Sequence, residues 1–215
     1  MKAKSDLTRV RRLPERGRYE PEDIYAVLDA ATHCHIAHVV DGQPVCTPTL
    51  HWRIADHVYW HGSVASRMLC KSAGMRVCLT ATLLDGWVLA RSAFNHSANY
   101  RAVMCFGQPE LIGDDERKTQ LLQAFTEQRY PGRWPLLRPM TRKELRATTI
   151  LTMPLDMASA KVRSGPPDDP PRDRSWPVWA GVIPIGQGAA RAVIAEGVPG
   201  GVKPPRLSVA QRGRR

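Results

Sequence analysis

The chain has 215 residues, 43% of them hydrophobic and 24% charged, which suits one good-sized domain or two small ones with ample length for a core. The sequence contains no apolar run of about 18 residues or more and no apolar segment behind its basic N-terminus, so neither a membrane span nor a secretory signal is expected and the cytoplasm is the default location. The net charge of +11 sits at the ends: residues 1–18 and 189–215 carry +5 each, leaving the 170 residues between them at +1. The body therefore lacks a polyanion-binding footprint, and nucleic acid is expected only through the two tails.

In chain order, residues 1–18 read as a basic flexible arm. Glu20-Pro21-Glu22-Asp23 opens a helix, with proline and acids in its first turn and Ile24, Val27, Leu28 and Ala31 on one face, ending near Thr32. Short strands follow. His33 to Val40 leads into Asp41-Gly42-Gln43-Pro44, a hairpin signal, and Val45 to Arg53 returns with Pro48 marking an edge or a bulge. Ala55-Asp56-His57 turns into Val58 to His61, after which a helix starts at Ser66. Met75 to Leu83, a turn at Asp85-Gly86, Trp87 to Ser92 and Tyr100 to Ile112 continue the strand pattern. Asp114-Asp115 caps a helix running to about Arg129, a short helix is expected at Thr141 to Arg146, and one more strand at Thr148 to Met157. Residues 164–187 are irregular but carry Trp176, Trp179 and Val182, as a segment packed on the body would; residues 188–215 have the composition of a basic disordered tail. Strands joined by tight turns, with few helical spacers, predict a mainly β fold with peripheral helices, an antiparallel sheet closing into a barrel.

Five dispersed cysteines without a Cys-x-x-Cys pair point to reduced, mostly buried thiols; Cys34 and Cys46 lack a base fixed beside them, so a structural role outweighs a nucleophilic one. His33 and His35 share a strand face, with His38 nearby, yet no further ligands at a suitable spacing complete a metal shell, and no metal is expected. The run Tyr59 to Arg67 is the best candidate site. A strand ends at His61-Gly62-Ser63, Ser66 is a good N-cap, and Arg67 opposes the helix dipole in the first turn, a conflict that a bound anion removes. The alternative is an ordinary strand-turn-helix with a solvated arginine. Residues 90–101, with Asn95, His96, Ser97, Asn99 and Arg101, are either an elaborate loop or a set of donors to a polar ligand. Trp179 either caps the core or covers a planar ligand.

Taken in order, a helix, His35 to Val40, Asp41-Gly42-Gln43-Pro44, Thr47-Pro48-Thr49, His61-Gly62-Ser63 with Ser66-Arg67, Leu84-Asp85-Gly86, Arg91-Ser92, Asn95-His96-Ser97, Asn99-Tyr100-Arg101, Lys161-Val162-Arg163 and Pro177 to Val182 resemble the flavin-nucleotide-binding proteins related to pyridoxamine 5′-phosphate oxidase, the branch that includes nitroimidazole-resistance reductases. The resemblance covers residues 18–186. It implies an FMN-binding split β-barrel over residues 19–163 and a homodimer with two flavin clefts at the interface. By the same resemblance Thr49 lines the flavin, His61, Gly62 and Ser63 approach its ring and ribityl chain, Ser66 and Arg67 bind its phosphate, Arg101 adds to the site, and Trp179 borders the ring. Met68 stands where many relatives have a lysine, and the substrate-phosphate ligands of true pyridoxamine phosphate oxidases are not evident, so vitamin B6 synthesis is not implied. The expected activity is flavin-dependent oxidoreduction of a small molecule, with His61 as the candidate catalytic residue. The alternatives are a non-catalytic flavin carrier or sensor, and a related barrel holding heme or a deazaflavin.

Overall fold

A computed structural model describes residues 3–186, 195–196 and 203–205. The tail expected over residues 188–215 lies almost wholly outside the described residues. Along the chain the elements are β1 (Gly17–Arg18), α1 (Pro21–Ala30), β2 (His33–Val40), β3 (Gln43–Ile54), β4 (His57–Ser63), α2 (Arg67–Ser72), β5 (Val77–Leu89), β6 (Ser97–Gly107), β7 (Glu110–Leu111), α3 (Asp115–Arg129), α4 (Arg142–Ala147), β8 (Thr148–Pro154), β9 (Ala158–Arg163) and β10 (Gly181–Pro184). The strands pair in the order β1-β9-β6-β5-β2-β3-β4-β8-β7, with β10 added beside β5. Every pairing among them is antiparallel, the mainly β architecture expected of a split barrel.

Local chemistry explains the joints. Asp41 and Gly42 both have positive φ, 51° and 77°, the mirror-image two-residue turn that suits the twist of β2 and β3. α3 begins where the Asp114 carboxylate accepts a hydrogen bond from the Arg117 amide, and α4 where Thr141 and Glu144 form a reciprocal capping box. Two apolar layers result. The inner one joins α1 (Ile24, Val27, Leu28) to the barrel residues Ile36, Trp60, Leu79, Val103 and Met153. The outer one packs Leu121, Leu122 and Phe125 of α3 onto Trp52, Tyr59 and Ile150, on the other face of the β3–β4–β8 sheet.

Several expectations are corrected. The first 18 residues are not a free arm from residue 3 onward: Thr8 is buried, β1 pairs with β9, and Lys161 Nζ donates to the Arg12 carbonyl at 2.9 Å. Asp85-Gly86 is not a turn but a bulge inside the continuous strand β5, where the register against β6 shifts between Leu84 and Gly86. The strand expected at Thr148 to Met157 is β8, which ends at Pro154, and a further strand, β9, follows it but pairs with β1 and β6 rather than with β8. The thiols are less buried than expected: Cys34 and Cys105 are buried, Cys78 is half-buried, and Cys46 and Cys70 are exposed. Burial pushes the Cys34 thiol up to about 12, the behaviour of an inert core residue.

Candidate functional site

The feature that positions the site is a divergence of strands. β3 pairs with β2 from Gln43 to Leu50, but with β4 only from His51 to Ile54. Past the pair His51–Trp60 the two strands part, and His61, Gly62 and Ser63 pair with β8 alone. Pro44 and Pro48 are tolerated in β3 because that stretch has a single neighbour, so a missing amide donor disrupts no second ladder. The opening between Thr49 on one side and residues 61–63 on the other leads directly to the start of α2.

There the chain makes a tight approach. The Ser66 amide donates to the Ser63 carbonyl at 2.8 Å, and the Ala65 amide to Ser63 Oγ at 3.2 Å. Ser66 is the N-cap of α2, but its side chain caps no amide. Arg67 is exposed and has no ion pair among the described residues. Met68 turns the other way, into the barrel core at 7% exposure. Position 68 is therefore a packing position, while Arg67 and Lys71 are exposed. Gly62 has a structural reason of its own: a Cβ there would lie 3.0 Å from Leu69 Cδ1, so its absence lets α2 seat against β4.

His61 does not share Gly62's face. It lies with Tyr59 and Trp52 on the side covered by α3, its ring centroid 5.6 Å from Trp52 and 5.2 Å from Phe125. His61 Nδ1 and Trp52 Nε1 are both buried without a protein partner among the described residues. Burial pushes the His61 imidazole below its ordinary value, so the ring is neutral at neutral pH. The result is an aromatic cluster packed under α3 that contains two buried nitrogens without a protein partner among the described residues. Trp52 and Phe125 were not singled out from sequence, since periodicity reads both as core and nothing local links a strand residue to a helix more than seventy positions later.

Ser63, Ser66 and Arg67 thus adjoin Gly62 at the start of α2, with Thr49 on the strand that parts from β4, while His61 faces α3. Arg101 and Trp179 do not join them within this chain. Arg101 is held by Asp85 in a two-pronged pair, at 2.9 and 2.8 Å. Trp179, 61% exposed, lies beside β10, where a Cβ on Gly181 would meet its ring at 2.9 Å. The polar segment 90–101 serves chiefly to fasten the C-terminal segment. The Arg91 amide and guanidinium donate to Asp169 at 3.0 and 2.8 Å, Asn99 donates to the Gly165 carbonyl, and Arg163 donates to Asn99 and to the carbonyls of Gly165 and Pro166. No trio of His, Cys, Asp or Glu is placed to hold a metal ion among the described residues. No described helix is long and apolar enough to cross a membrane.

Residues 20–162 match a family model described as pyridoxamine 5′-phosphate oxidase. No curated protein matches the chain. Among solved structures, the flavocytochrome Anf3 from Azotobacter vinelandii superposes with a TM-score of 0.90 at 41% identity, covering 95% of this chain and 96% of that one. The FAD and heme binding protein from Mycobacterium smegmatis gives 0.84 at 36% identity, over 88% of this chain and 94% of that one. A Bacteroides thetaiotaomicron protein described as a 5-nitroimidazole antibiotic resistance protein shares the fold, with a TM-score of 0.56 at 21% identity over 68% of this chain and 86% of its own.

Proposed function

The chain belongs to the pyridoxamine 5′-phosphate oxidase family, and from that premise we propose that it binds a flavin nucleotide at the opening between β3 and β4 and works as an oxidoreductase on a small molecule. The observation that carries this reading is the placement, where β3 and β4 part, of an exposed arginine without an ion pair among the described residues, two serines and an aromatic cluster with unsatisfied nitrogens. Arg67 would hold the phosphate with a charge-assisted hydrogen bond, helped by the hydroxyls of Ser63 and Ser66. Thr49 and His61 would flank the ring, and the Trp52–Phe125 wall would keep water from its side. A bound flavin supplies hydride or electron transfer; the protein supplies position, electrostatics and solvent exclusion. His61, neutral through burial, can accept a proton at Nδ1 or hold a substrate there.

Arg101 and Trp179 would enter from a second copy of the chain. Supporting a homodimer, Trp87, Trp176, Trp179 and Ile183 are 52%, 67%, 61% and 48% exposed around β10. So much aromatic surface around one strand is what a protein interface buries.

A second reading is favoured by the unpartnered imidazole of His61. A neutral ring with a free nitrogen in an aromatic recess is also the form that ligates heme iron. Two solved relatives, at 41% and 36% identity, are described as a flavocytochrome and as an FAD and heme binding protein. On this reading the flavin is FAD rather than FMN, and heme shares the site.

One preparation separates these readings. The absorption spectrum of the purified full chain distinguishes flavin bands from a Soret band, acid extraction followed by chromatography identifies FMN or FAD, and added NADH or NADPH shows whether the flavin is reduced. A colourless protein that takes up neither FMN nor FAD would overturn the proposal. Flavin without a Soret band, heme not being restored by added hemin, would remove the second reading. Flavin that no donor reduces would leave a carrier or sensor.

A further inference from the structure

A second cavity of about 820 Å³ opens where β2 and β6 end and β5 begins, beside the turn that follows β8. None of the residues gathered at the β3–β4 opening lines it. Its walls are apolar, built from Val39, Phe106, Pro109 and Met157. Against them lies one polar side chain with nothing to bond: His38 is 5% exposed, and both of its ring nitrogens are buried without a partner among the described residues. His38 alternates inward with Cys34 and Ile36 along β2, so the strand aims it at the inside of the barrel end rather than at solvent. A buried donor and acceptor left unsatisfied are costly, and a core needing only packing would hold leucine or valine here. The rim carries Arg76, Glu110 and Asp156, one positive and two negative groups, which disfavours an anionic guest.

We propose that this cavity is a second small-molecule site, separate from the flavin opening, for an uncharged and largely apolar compound bearing one hydroxyl or carbonyl group that His38 hydrogen-bonds. The volume lies in the range of small-ligand pockets. The apolar walls and the single buried polar group match a guest with one polar handle. A phenol can donate to one ring nitrogen, and a ketone or quinone oxygen can accept from the other. The site does not depend on the flavin reading, so the two fail separately.

The test uses 1-naphthol as a fluorescent, uncharged probe and 1-naphthalenesulfonate as its anionic counterpart, titrated into the full chain as purified. Saturable binding of one naphthol per chain is expected, with His38→Leu weakening it about tenfold or more and His61→Ala leaving it unchanged. The sulfonate should bind more weakly than naphthol by a similar factor. Since a change at a buried histidine can disturb folding, the wild-type protein gives an independent reading: naphthol should shift the ring ¹⁵N resonances of His38. Unmoved His38 resonances at saturating naphthol, naphthol affinity unaltered in a folded His38→Leu variant, or tighter binding of the sulfonate would each overturn the proposal. The first of these results would mean that water alone satisfies the ring.

Discussion

At the scale of single residues, the structure separates side chains tied into the fold by hydrogen bonds from those without such ties among the described residues. Arg101 and Arg67 look alike in sequence, yet within the chain Arg101 is paired with Asp85 while Arg67 is exposed and has no ion pair among the described residues. Arg67→Gln should therefore leave thermal stability nearly unchanged and weaken flavin binding about tenfold to a hundredfold, the worth of one charge-assisted hydrogen bond, read by fluorescence quenching on titration with FMN or FAD. His51 gives a prediction of the opposite kind. It is fully buried, its Nε2–H donates to the Leu28 carbonyl at 2.9 Å, and burial lowers it from 6.5 to about 4. The unfolded chain takes up a proton below pH 6.5 that the folded chain refuses until about pH 4. The stabilisation is thus present above pH 6.5 and lost as the pH falls through that window, by about 3 kcal/mol at most. His51→Gln, which keeps an amide donor for Leu28, should flatten this part of the pH dependence in urea unfolding curves between pH 7.5 and 4.5. An unchanged slope would show that other groups govern it.

At the scale of elements, the polar segment after β5 fastens residues 164–186 to the barrel. Asp169 accepts from both the amide and the guanidinium of Arg91, with its side chain only 3% exposed. Asp169→Ala should loosen this segment, seen as several-fold faster tryptic cleavage after Arg172 or Arg174 while cleavage within the barrel strands stays slow. Equal protection in the variant would show that β10 alone holds the segment. These elements also mark what sequence can reveal. α1, α3 with its Asp114 cap, the Asp41-Gly42 turn and the Ser66 helix start were all legible, because each rests on local chemistry. Asp85-Gly86 misled because the residues that make a tight turn also suit a bulge, and only the partner strand decides between them. The two-residue strands β1 and β7 left no periodic signal, and the packing of residues 3–18 depends on β9, some 140 positions later. In the candidate site, the run His61 to Arg67 was visible as one contiguous stretch, whereas the Trp52–His61–Phe125 contact needs three elements to meet.

At the scale of the whole molecule, the exposed apolar surface around β10 sets an expectation for assembly. Trp87 and Ile183 face each other across the β5–β10 pair and are each about half exposed. Light scattering coupled to size exclusion should give twice the 24.0 kDa chain mass, and Trp87→Glu should raise the dimer dissociation constant at least tenfold, about the cost of losing one aromatic anchor. A wild-type chain monomeric at micromolar concentration would remove the interface and the contribution of Arg101 and Trp179 from a second copy. The strand order also bears on how the molecule comes into being. β4, which parts from β3 at His61, has its long partner in β8, with Tyr59 opposite Thr152, and the first strand waits for β9, with Gly17 opposite Lys161. A ribosome making this protein would have to release nearly three quarters of it before either pairing could form, so the early strands spend most of synthesis with open edges. Loop closures of that length favour slow folding and exposure to aggregation. The nascent chain is therefore expected to lean on chaperones until residue 163 has emerged.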